Sequence, residues 1–179
     1  MLIFLLGYMG SGKTTAGVKL AGLLRYRFLD LDDMIELSTG YSIPVFFDKF
    51  GESFFRQKER EILMIHLQDR DTVIAAGGGT PCYQDNIHLM NKHGVTVFLD
   101  TPYEVIMQRL SGSFSRRPML NKIPHGNMAG FIREHLDTRR VFYEQAKIHL
   151  ISNKVDFDFL VKEISKFQVE GFRFQEEGE

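Results

Sequence analysis

The N-terminal segment joins an apolar run to a glycine-rich loop. Leu2–Leu6 are all apolar, and residues 7–14 read Gly-Tyr-Met-Gly-Ser-Gly-Lys-Thr. This order matches the G-x-x-x-x-G-K-[ST] phosphate-binding loop, whose glycines allow the backbone to turn its N–H groups toward phosphate oxygens. The loop requires a buried strand before it and a helix after it, and apolar residues within 14–24 recur at helical spacing. The segment therefore predicts the first strand, loop and helix of an α/β fold.

The residue types in the loop predict that it binds a nucleoside triphosphate. Lys13 would place a point charge on the β- and γ-phosphates, and the Thr14 hydroxyl can ligate Mg²⁺. The helix that follows adds the positive end of its dipole. The expected nucleotide contacts within the loop are Gly10, Ser11, Gly12, Lys13, Thr14 and Thr15. The alternative is a glycine-rich turn with a structural role only.

Composition predicts one globular domain and argues against several classes of partner. The chain has 179 residues, 44% of them hydrophobic and 25% charged, with a formal net charge of −1. We expect one domain over residues 1–168, followed by a frayed tail over 169–179. The near-zero charge predicts no nucleic-acid partner, and no apolar stretch approaches the ~20 residues of a membrane span. The single cysteine, Cys82, excludes an internal disulfide and favours a cytoplasmic location.

Strand-like and helical patterns alternate along the rest of the chain. Such alternation predicts a parallel sheet with helices on both faces, and ligands bind such sheets beyond the carboxyl ends of the strands. The expected strands are Leu2–Leu6, Arg27–Leu29, Val73–Ala76, Val95–Leu99 and Ile148–Ile151, and the expected helices cover residues 14–24, 31–38, 43–49, 53–67, 84–92, 102–110, 128–145 and 156–167. The segment Ser111–Gly126 lacks periodicity and contains glycine, proline and arginine, so we predict a lid there.

Two groups of residues that suit a phosphoryl-transfer site follow expected strands. Asp30 and Asp32 come at the end of the second strand, and an extended chain would point both carboxylates to one face. One acid could then serve a metal ion and the other the accepting hydroxyl. The alternative is a helix N-cap formed by Asp32 or Asp33. Gly77–Gly79 follow the third strand, where backbone N–H groups could approach a ligand closely or the chain could simply turn.

Three arginines lie in segments that could face a ligand. Arg56 follows a glycine- and phenylalanine-containing stretch, Arg117 lies in the expected lid, and Arg139 precedes an aromatic stretch. Guanidinium groups bind carboxylate and phosphate bidentately and remain charged at all working pH values. Most arginines are solvated at the surface, however, and the residue pattern by itself leaves that alternative open.

The sequence as a whole resembles the shikimate kinases, a group of P-loop kinases related to nucleoside-monophosphate kinases. The resemblance rests on Gly7–Thr15, Phe28–Asp32, Gly51-Glu52-x-x-Phe55-Arg56-x-x-Glu59, Gly77–Gly79, Arg117-Pro118-x-Leu120 and Arg139-x-x-x-Tyr143. It implies a three-layer P-loop kinase fold with a five-stranded parallel sheet in the order 2-3-1-4-5 and a lid at about 111–126. It also implies ATP-dependent phosphorylation of the 3-hydroxyl of shikimate, giving shikimate 3-phosphate and ADP in aromatic amino-acid (chorismate) biosynthesis. We expect Mg²⁺ as cofactor and a monomeric protein.

The same resemblance implies roles on the acceptor side of the site. Asp32 would hold the ring hydroxyls of shikimate and act on the accepting 3-hydroxyl. Arg56 and Arg139 would bind the carboxylate of shikimate. The remaining acceptor contacts would be Phe47, Phe55, Gly77, Gly78 and Gly79.

On the nucleotide side, the resemblance implies a metal site and two arginines. Asp30 would lie near Mg²⁺ beside Thr14, since no aspartate closes the third strand. Arg117 would move with the lid onto the phosphates, and Arg109 would flank the adenine. The catalytic residues would then be Lys13, Asp32 and Arg117.

Two other functions share part of this pattern. A gluconate-type sugar-acid kinase would also need a phosphate loop and a carboxylate clamp, but the G-E-x-x-F-R sequence of residues 51–56 argues against it. A nucleotide-binding regulatory module without turnover is the second alternative. The presence of Lys13, Asp32 and Arg117 argues against that module.

Overall fold

A computed structural model of the chain describes residues 1–111, 127–151 and 154–176, with side chains through residue 167. The strands in this part are β1 Leu2–Leu6, β2 Arg27–Asp30, β3 Thr72–Ala75, β4 Val95–Asp100 and β5 Ile148–Ile151. The helices are α1 Lys13–Leu24, α2 Leu31–Thr39, α3 Ile43–His66, α4 Asn86–His93, α5 Tyr103–Leu110, α6 Met128–Tyr143 and α7 Phe157–Glu176, with a 3₁₀ turn at Thr80–Cys82. Arg117 and residues 112–126 of the predicted lid lie outside the described residues.

The strands form a parallel sheet in the order β2-β3-β1-β4-β5. The central strand, β1, is buried along its whole length, and its side chains alternate between two cores. Leu2, Phe4 and Leu6 pack in one core with residues of α2 to α6. Ile3 and Leu5 pack in the other with residues of α1 and α7. The predicted fold class, with this strand order and helices on both faces, is therefore confirmed.

Most observed elements begin and end within two residues of the sequence predictions, and two differences are larger. The helices expected at 43–49 and 53–67 run on from one another as α3, and the expected break between them is present at Gly51, whose φ of 79° and ψ of 174° are not helical. α7 extends to Glu176, beyond the expected end at 167, and fraying of the tail stays a prediction. The chain is extended only as far as Asp30 and turns helical at Leu31. The prediction that Asp30 and Asp32 share one extended segment is therefore wrong.

The carboxyl ends of β1, β3 and β2 lie side by side at one edge of the sheet. The phosphate loop leaves β1 there, α2 begins directly after β2, and the Gly77–Gly79 turn follows β3. Residues that are tens of positions apart in sequence therefore meet above this edge. Among the described helices, none has the length and apolar character needed to cross a membrane.

Candidate active site

Three glycines give the phosphate loop its conformation. Gly7, Gly10 and Gly12 have positive φ values of 145°, 80° and 93°, a region that residues with a Cβ adopt only at a cost. A Cβ on Gly7 would also lie 2.8 Å from Ser11 Oγ and 2.9 Å from the carbonyl oxygen of Leu99. The loop therefore needs glycine at these positions, and Gly12 is the N-cap of α1.

The Lys13 side chain folds back across the phosphate loop. Its Nζ donates hydrogen bonds to the carbonyl oxygens of Gly7 at 2.8 Å and Tyr8 at 3.1 Å. Lys13 is also the first residue of α1, so its ammonium charge adds to the partial positive charge of the helix N-terminus. Together they form an electropositive centre of the kind that binds a polyphosphate.

A cleft of about 420 Å³ opens beside the phosphate loop. Ser11, Gly12 and Thr15 line it, as does Arg109, whose Nη1 donates to the carbonyl oxygen of Gly10 at 2.9 Å. Lys19 and Lys154 line it too, and its apolar wall includes Leu99, Leu150, Val155 and Phe157. Loop amides, cationic side chains and an apolar wall suit the phosphates and base of a nucleotide. Sequence reasoning missed the apolar wall because its residues belong to no motif: Leu99 and Leu150 lie within β4 and β5, and Val155 and Phe157 come after β5.

Asp30 connects the phosphate loop to the start of α2. Its Oδ2 accepts a hydrogen bond from Thr14 Oγ1 at 2.7 Å, and its Oδ1 accepts one from the backbone N–H of Asp32 at 3.1 Å. The N-cap of α2 is thus Asp30, and neither Asp32 nor Asp33 fills that role. Capping holds the Asp30 carboxylate beside Thr14, and it moves Asp32 into the first helical turn.

The side-chain oxygens of Thr14 and Asp30 fit a Mg²⁺ site. Mg²⁺ prefers hard oxygen ligands and commonly takes one or two protein groups, while phosphates and water complete its coordination sphere. The 2.7 Å contact places two such oxygens next to the phosphate loop. Within the described ranges, no cluster of three His, Cys, Asp or Glu side chains forms an all-protein metal site.

Asp32 has an unusually basic carboxyl group for an aspartate. Its side chain opens onto solvent, yet protein atoms surround it closely and displace much of its hydration. This burial, together with the negative charges of Glu59 and Asp30, raises its pKa from 3.8 to about 6. The positive charges of Lys13 and Arg56 act in the opposite direction and are outweighed. At neutral pH Asp32 is therefore ionised, and it is well suited to accept a proton.

Arg56 is held in place by a buried glutamate. Its Nη1 lies 2.7 Å from Glu59 Oε2, and its Nη2 lies 3.4 Å from Glu52 Oε1. Glu59 is 1% exposed, and its other oxygen accepts a hydrogen bond from Thr80 Oγ1 at 2.5 Å. Burial by itself would lower the pKa of Arg56, but Glu59 and Glu52 raise it above its ordinary value. Sequence reasoning gave Glu59 no role, although its i+3 spacing from Arg56 on a helix signals such a pair.

Arg139 reaches the same region from α6. It is 8% exposed, and its guanidinium lies 5.8 Å from the centroid of the Tyr8 ring. A Cβ on Gly78 would lie 3.3 Å from Arg139 Nη1, and a Cβ on Gly79 would overlap the Arg56 guanidinium. The glycine turn therefore lets both guanidinium groups approach the backbone closely.

The acceptor residues expected from the resemblance line a cleft of about 300 Å³. The rings of Phe47 and Phe55 lie 4.5 Å apart between centroids and form an apolar patch in it. The expected residues found in the lining are Asp32, Phe47, Phe55, Arg56, Gly77, Gly78, Gly79 and Arg139. Met9 of the phosphate loop lines this cleft as well. The carboxylates of Asp33, Glu36 and Glu59 also line it. The two guanidinium groups suit an anionic group, the apolar patch suits a ring, and carboxylates accept hydrogen bonds from hydroxyl groups.

Comparison with known proteins identifies the family from sequence. The family model described as "Shikimate kinase" matches residues 9–168. A shikimate kinase from Bacteroides fragilis is 40% identical over 154 residues, which are 86% of each chain. One from Persephonella marina is 36% identical over 148 residues, which are 83% of this chain and 87% of the other.

Solved structures agree with the sequence comparison. A shikimate kinase from Bacteroides thetaiotaomicron has 35% identity and a TM-score of 0.80, covering 94% of this chain and 96% of its own. A shikimate kinase from Acinetobacter baumannii, solved in complex with shikimate, has 34% identity and a TM-score of 0.83, covering 95% of this chain and 93% of its own. The chain belongs to the shikimate kinase family and is an ATP-binding transferase with kinase activity.

Proposed function

We propose that the protein transfers the γ-phosphoryl group of ATP to the 3-hydroxyl of shikimate, giving shikimate 3-phosphate and ADP in aromatic amino-acid biosynthesis. The observation that carries this proposal is the 300 Å³ cleft, in which Arg56, Arg139 and Asp32 meet beside the phosphate loop. Shikimate offers the matching groups, which are one carboxylate and several ring hydroxyls. The related enzyme from Acinetobacter baumannii, solved with shikimate, supports the same assignment.

On the acceptor side, the two arginines would bind the carboxylate. Planar guanidinium groups recognise carboxylates bidentately, and the Glu59 ion pair holds Arg56 in one orientation. The apolar patch of Phe47 and Phe55 would pack against the ring, and the Gly77–Gly79 backbone would contact its edge. The carboxylate at one end of the molecule thus fixes which hydroxyl reaches Asp32.

On the nucleotide side, the phosphates would lie on Gly10–Thr15, with Lys13 on the β- and γ-phosphates. Arg109 would flank the adenine in the 420 Å³ cleft. Thr14 and Asp30 would hold Mg²⁺, which neutralises phosphate charge when bound. The proposed contact of Arg117 with the phosphates rests on the resemblance, since Arg117 lies outside the described residues.

The chemical step needs little covalent participation by the protein. As the 3-oxygen forms its bond to the γ-phosphorus, Asp32 accepts the hydroxyl proton. The bond between the γ-phosphorus and the oxygen that bridges to the β-phosphate breaks, and ADP leaves. The raised pKa of Asp32, about 6, brings this base closer to the working pH while keeping it ionised. The monomeric state, the cytoplasmic location and the absence of a nucleic-acid partner stay predictions.

An ADP-release assay with a panel of hydroxy acids tests the proposed function. With ATP and Mg²⁺ present, we expect rapid ADP release with shikimate and background release with gluconate or with no acceptor. Phosphorus NMR of the product should place the new phosphate on the 3-oxygen. Release with gluconate would favour the sugar-acid kinase, and no release with any acceptor would favour a regulatory module.

Replacing Arg139 with alanine should weaken shikimate binding more than ATP binding. Loss of one partner from a desolvated charged pair costs about 2–5 kcal/mol, so the Kd for shikimate should rise roughly 30-fold or more. Titration calorimetry measures Kd, and steady-state kinetics should show a raised KM for shikimate. Arg133→Ala, an exposed arginine on the same helix, is the matched control. Normal shikimate binding by Arg139→Ala would contradict the carboxylate clamp.

Replacing Arg56 with alanine is expected to lower the stability of the fold as well as the affinity for shikimate. Arg56→Ala should also weaken shikimate binding, but it leaves Glu59 buried without its ion-pair partner. An uncompensated buried charge is strongly destabilising. Arg139→Ala is therefore the cleaner variant for testing recognition of the carboxylate.

A further inference from the structure

One face of α6 carries three polar residues at four-residue intervals. The middle one is Arg139, and the residues before and after it form hydrogen bonds to the loops that follow β1 and β3. His135, Arg139 and Tyr143 are one helical turn apart, about 6 Å along the axis. Tyr143 OH donates to the carbonyl oxygen of Gly78 at 2.5 Å. One turn on the other side of Arg139, His135 Nδ1 and Tyr8 OH form a hydrogen bond of 2.8 Å. Arg139 is therefore flanked by one contact to the glycine turn and one to the phosphate loop.

Tyr8 contacts both halves of the site. Its carbonyl oxygen accepts a hydrogen bond from Lys13 Nζ at 3.1 Å, so its backbone helps to hold the proposed phosphate-binding lysine. Its side chain is 1% exposed and meets the His135 ring edge-on, with 5.6 Å between centroids. The same ring lies 5.8 Å from the Arg139 guanidinium. A single residue of the phosphate loop thus connects the nucleotide side with the helix that carries Arg139.

The environment of His135 favours a neutral imidazole. Burial, followed by the positive charges of Arg139 and Arg56, lowers the pKa of His135 to about 4. A neutral ring adds no positive charge next to Arg139, and it forms one directional hydrogen bond with the tyrosine hydroxyl. The Phe131 ring packs against the His135 ring, with 5.1 Å between the ring centroids. The ring is therefore held by stacking and oriented by Tyr8.

We propose that the Tyr8–His135 hydrogen bond positions Arg139 relative to the phosphate loop, so that binding of the acceptor depends on the state of that loop. The proposal rests on the proposed function, in which Arg139 binds the carboxylate of shikimate. A hydrogen bond fixes distance and direction within narrow limits, whereas apolar packing is non-directional. Because α6 is a continuous helix, fixing His135 against the loop also fixes Arg139 one turn away. Tyr8 and His135 are positioning residues in this scheme.

Removing the bond from either side tests the proposal. Tyr8→Phe and His135→Leu should each raise the Kd for shikimate roughly three- to tenfold, the effect expected from losing one neutral hydrogen bond. The KM for ATP and kcat should change less. His135→Asn keeps a hydrogen-bonding group near the position of Nδ1 and should bind shikimate within about twofold of the unchanged protein. Glu134→Gln, at an exposed neighbouring position, is the control.

A second measurement separates positioning from a purely structural role. Titration calorimetry gives the ratio of the shikimate Kd without ADP to that with ADP. We expect this ratio to lie closer to one in Tyr8→Phe and His135→Leu than in the unchanged protein. The double variant should have a Kd for shikimate no higher than that of the single variant with the higher Kd, since both substitutions remove the same hydrogen bond. An unchanged ratio or additive losses, even with a lowered Tm, would overturn the proposal.

The outcomes also distinguish this inference from the proposed function. If Arg139→Ala loses shikimate affinity while Tyr8→Phe and His135→Leu bind normally, the positioning role is wrong and the carboxylate clamp stands. If Arg139→Ala itself binds shikimate normally, the proposed function of Arg139 fails and the positioning role fails with it. Because the two single variants act from opposite sides, a folding defect in one leaves the other as a complete test.

Discussion

Asp32→Asn is expected to lower kcat by roughly 10²- to 10⁴-fold, the usual contribution of a positioned general base, while raising thermal stability. The asparagine keeps the size of the side chain but cannot accept the hydroxyl proton. Steady-state ADP release measures kcat, and calorimetric unfolding measures Tm. Asp158→Asn, an exposed aspartate in the first turn of α7, should change neither quantity. A kcat near normal in Asp32→Asn would contradict the proposed role of Asp32.

The gain in stability follows from the sign of the pKa shift. Since the pKa of Asp32 rises from 3.8 to about 6 on folding, the folded state binds the proton more tightly than the unfolded state does. Ionisation of Asp32 therefore destabilises the fold progressively as pH rises from about 4 to about 6, and the cost remains above that range. Asparagine removes this cost, so Asp32→Asn should raise Tm at pH 7.5 and have little effect at pH 4. The opposite pH dependence would contradict the shift.

The pKa of Asp32 should also determine how catalysis depends on pH. The kcat/KM profile reports groups of the free enzyme, and protonation of Asp32 removes the proposed base. We therefore expect kcat/KM for shikimate to fall as pH decreases through about 6. The residual activity of Asp32→Asn should lack this acid limb, whereas Asp158→Asn should retain it.

Lys13→Ala is expected to lower kcat by roughly 10²- to 10³-fold, because it removes a preorganised positive charge from the transferring phosphoryl group. The fold should persist. The change removes the hydrogen bonds from Nζ to the carbonyl oxygens of Gly7 and Tyr8, while glycine conformation and strand pairing hold the loop. Coupled ADP assays measure kcat, and circular dichroism checks the secondary structure.

A control variant and a binding measurement test whether the effect of Lys13→Ala is specific to the phosphate loop. Lys92→Ala, which removes an exposed lysine from α4, should leave kcat unchanged. Lys13→Ala should bind shikimate with nearly normal affinity in the absence of nucleotide, since Lys13 does not line the acceptor cleft. A normal kcat in Lys13→Ala would contradict the phosphate-loop assignment, and a lost circular dichroism signal would contradict the expectation that the fold persists.

Local sequence patterns predicted the strands and the phosphate loop well. The alternation of Leu2–Leu6 between two cores follows from strand geometry alone, and the positive φ values of Gly7 and Gly12, the two fixed glycines, follow from the motif. At Asp30 the local prediction was wrong. The pattern favoured an extended Asp30–Asp32 segment, but the Asp30 side chain caps α2, and the chain turns helical immediately.

Long-range contacts in the site had no signal in the sequence. Tyr8 and His135 are 127 positions apart, and nothing in either local pattern connects them. The burial of Glu59 depends on where α3 packs against the 3₁₀ turn that contains Thr80. Among many arginines, only packing decides that Arg139 faces the acceptor cleft while Arg140 pairs with Asp100 at 2.7 Å.

The sequence by itself determined the phosphate loop, the alternation of strands and helices, and the family to which the chain belongs, because these depend on residues close together in the chain or on motifs in a fixed order. The tertiary structure alone decided which side chains share the acceptor cleft and how their charges act on each other. The raised pKa of Asp32 is the clearest case, since it depends on Glu59, Asp30, Lys13 and Arg56. Those charges lie on three separate elements, α1, β2 and α3, and their distances exist only once the helices have packed on the sheet.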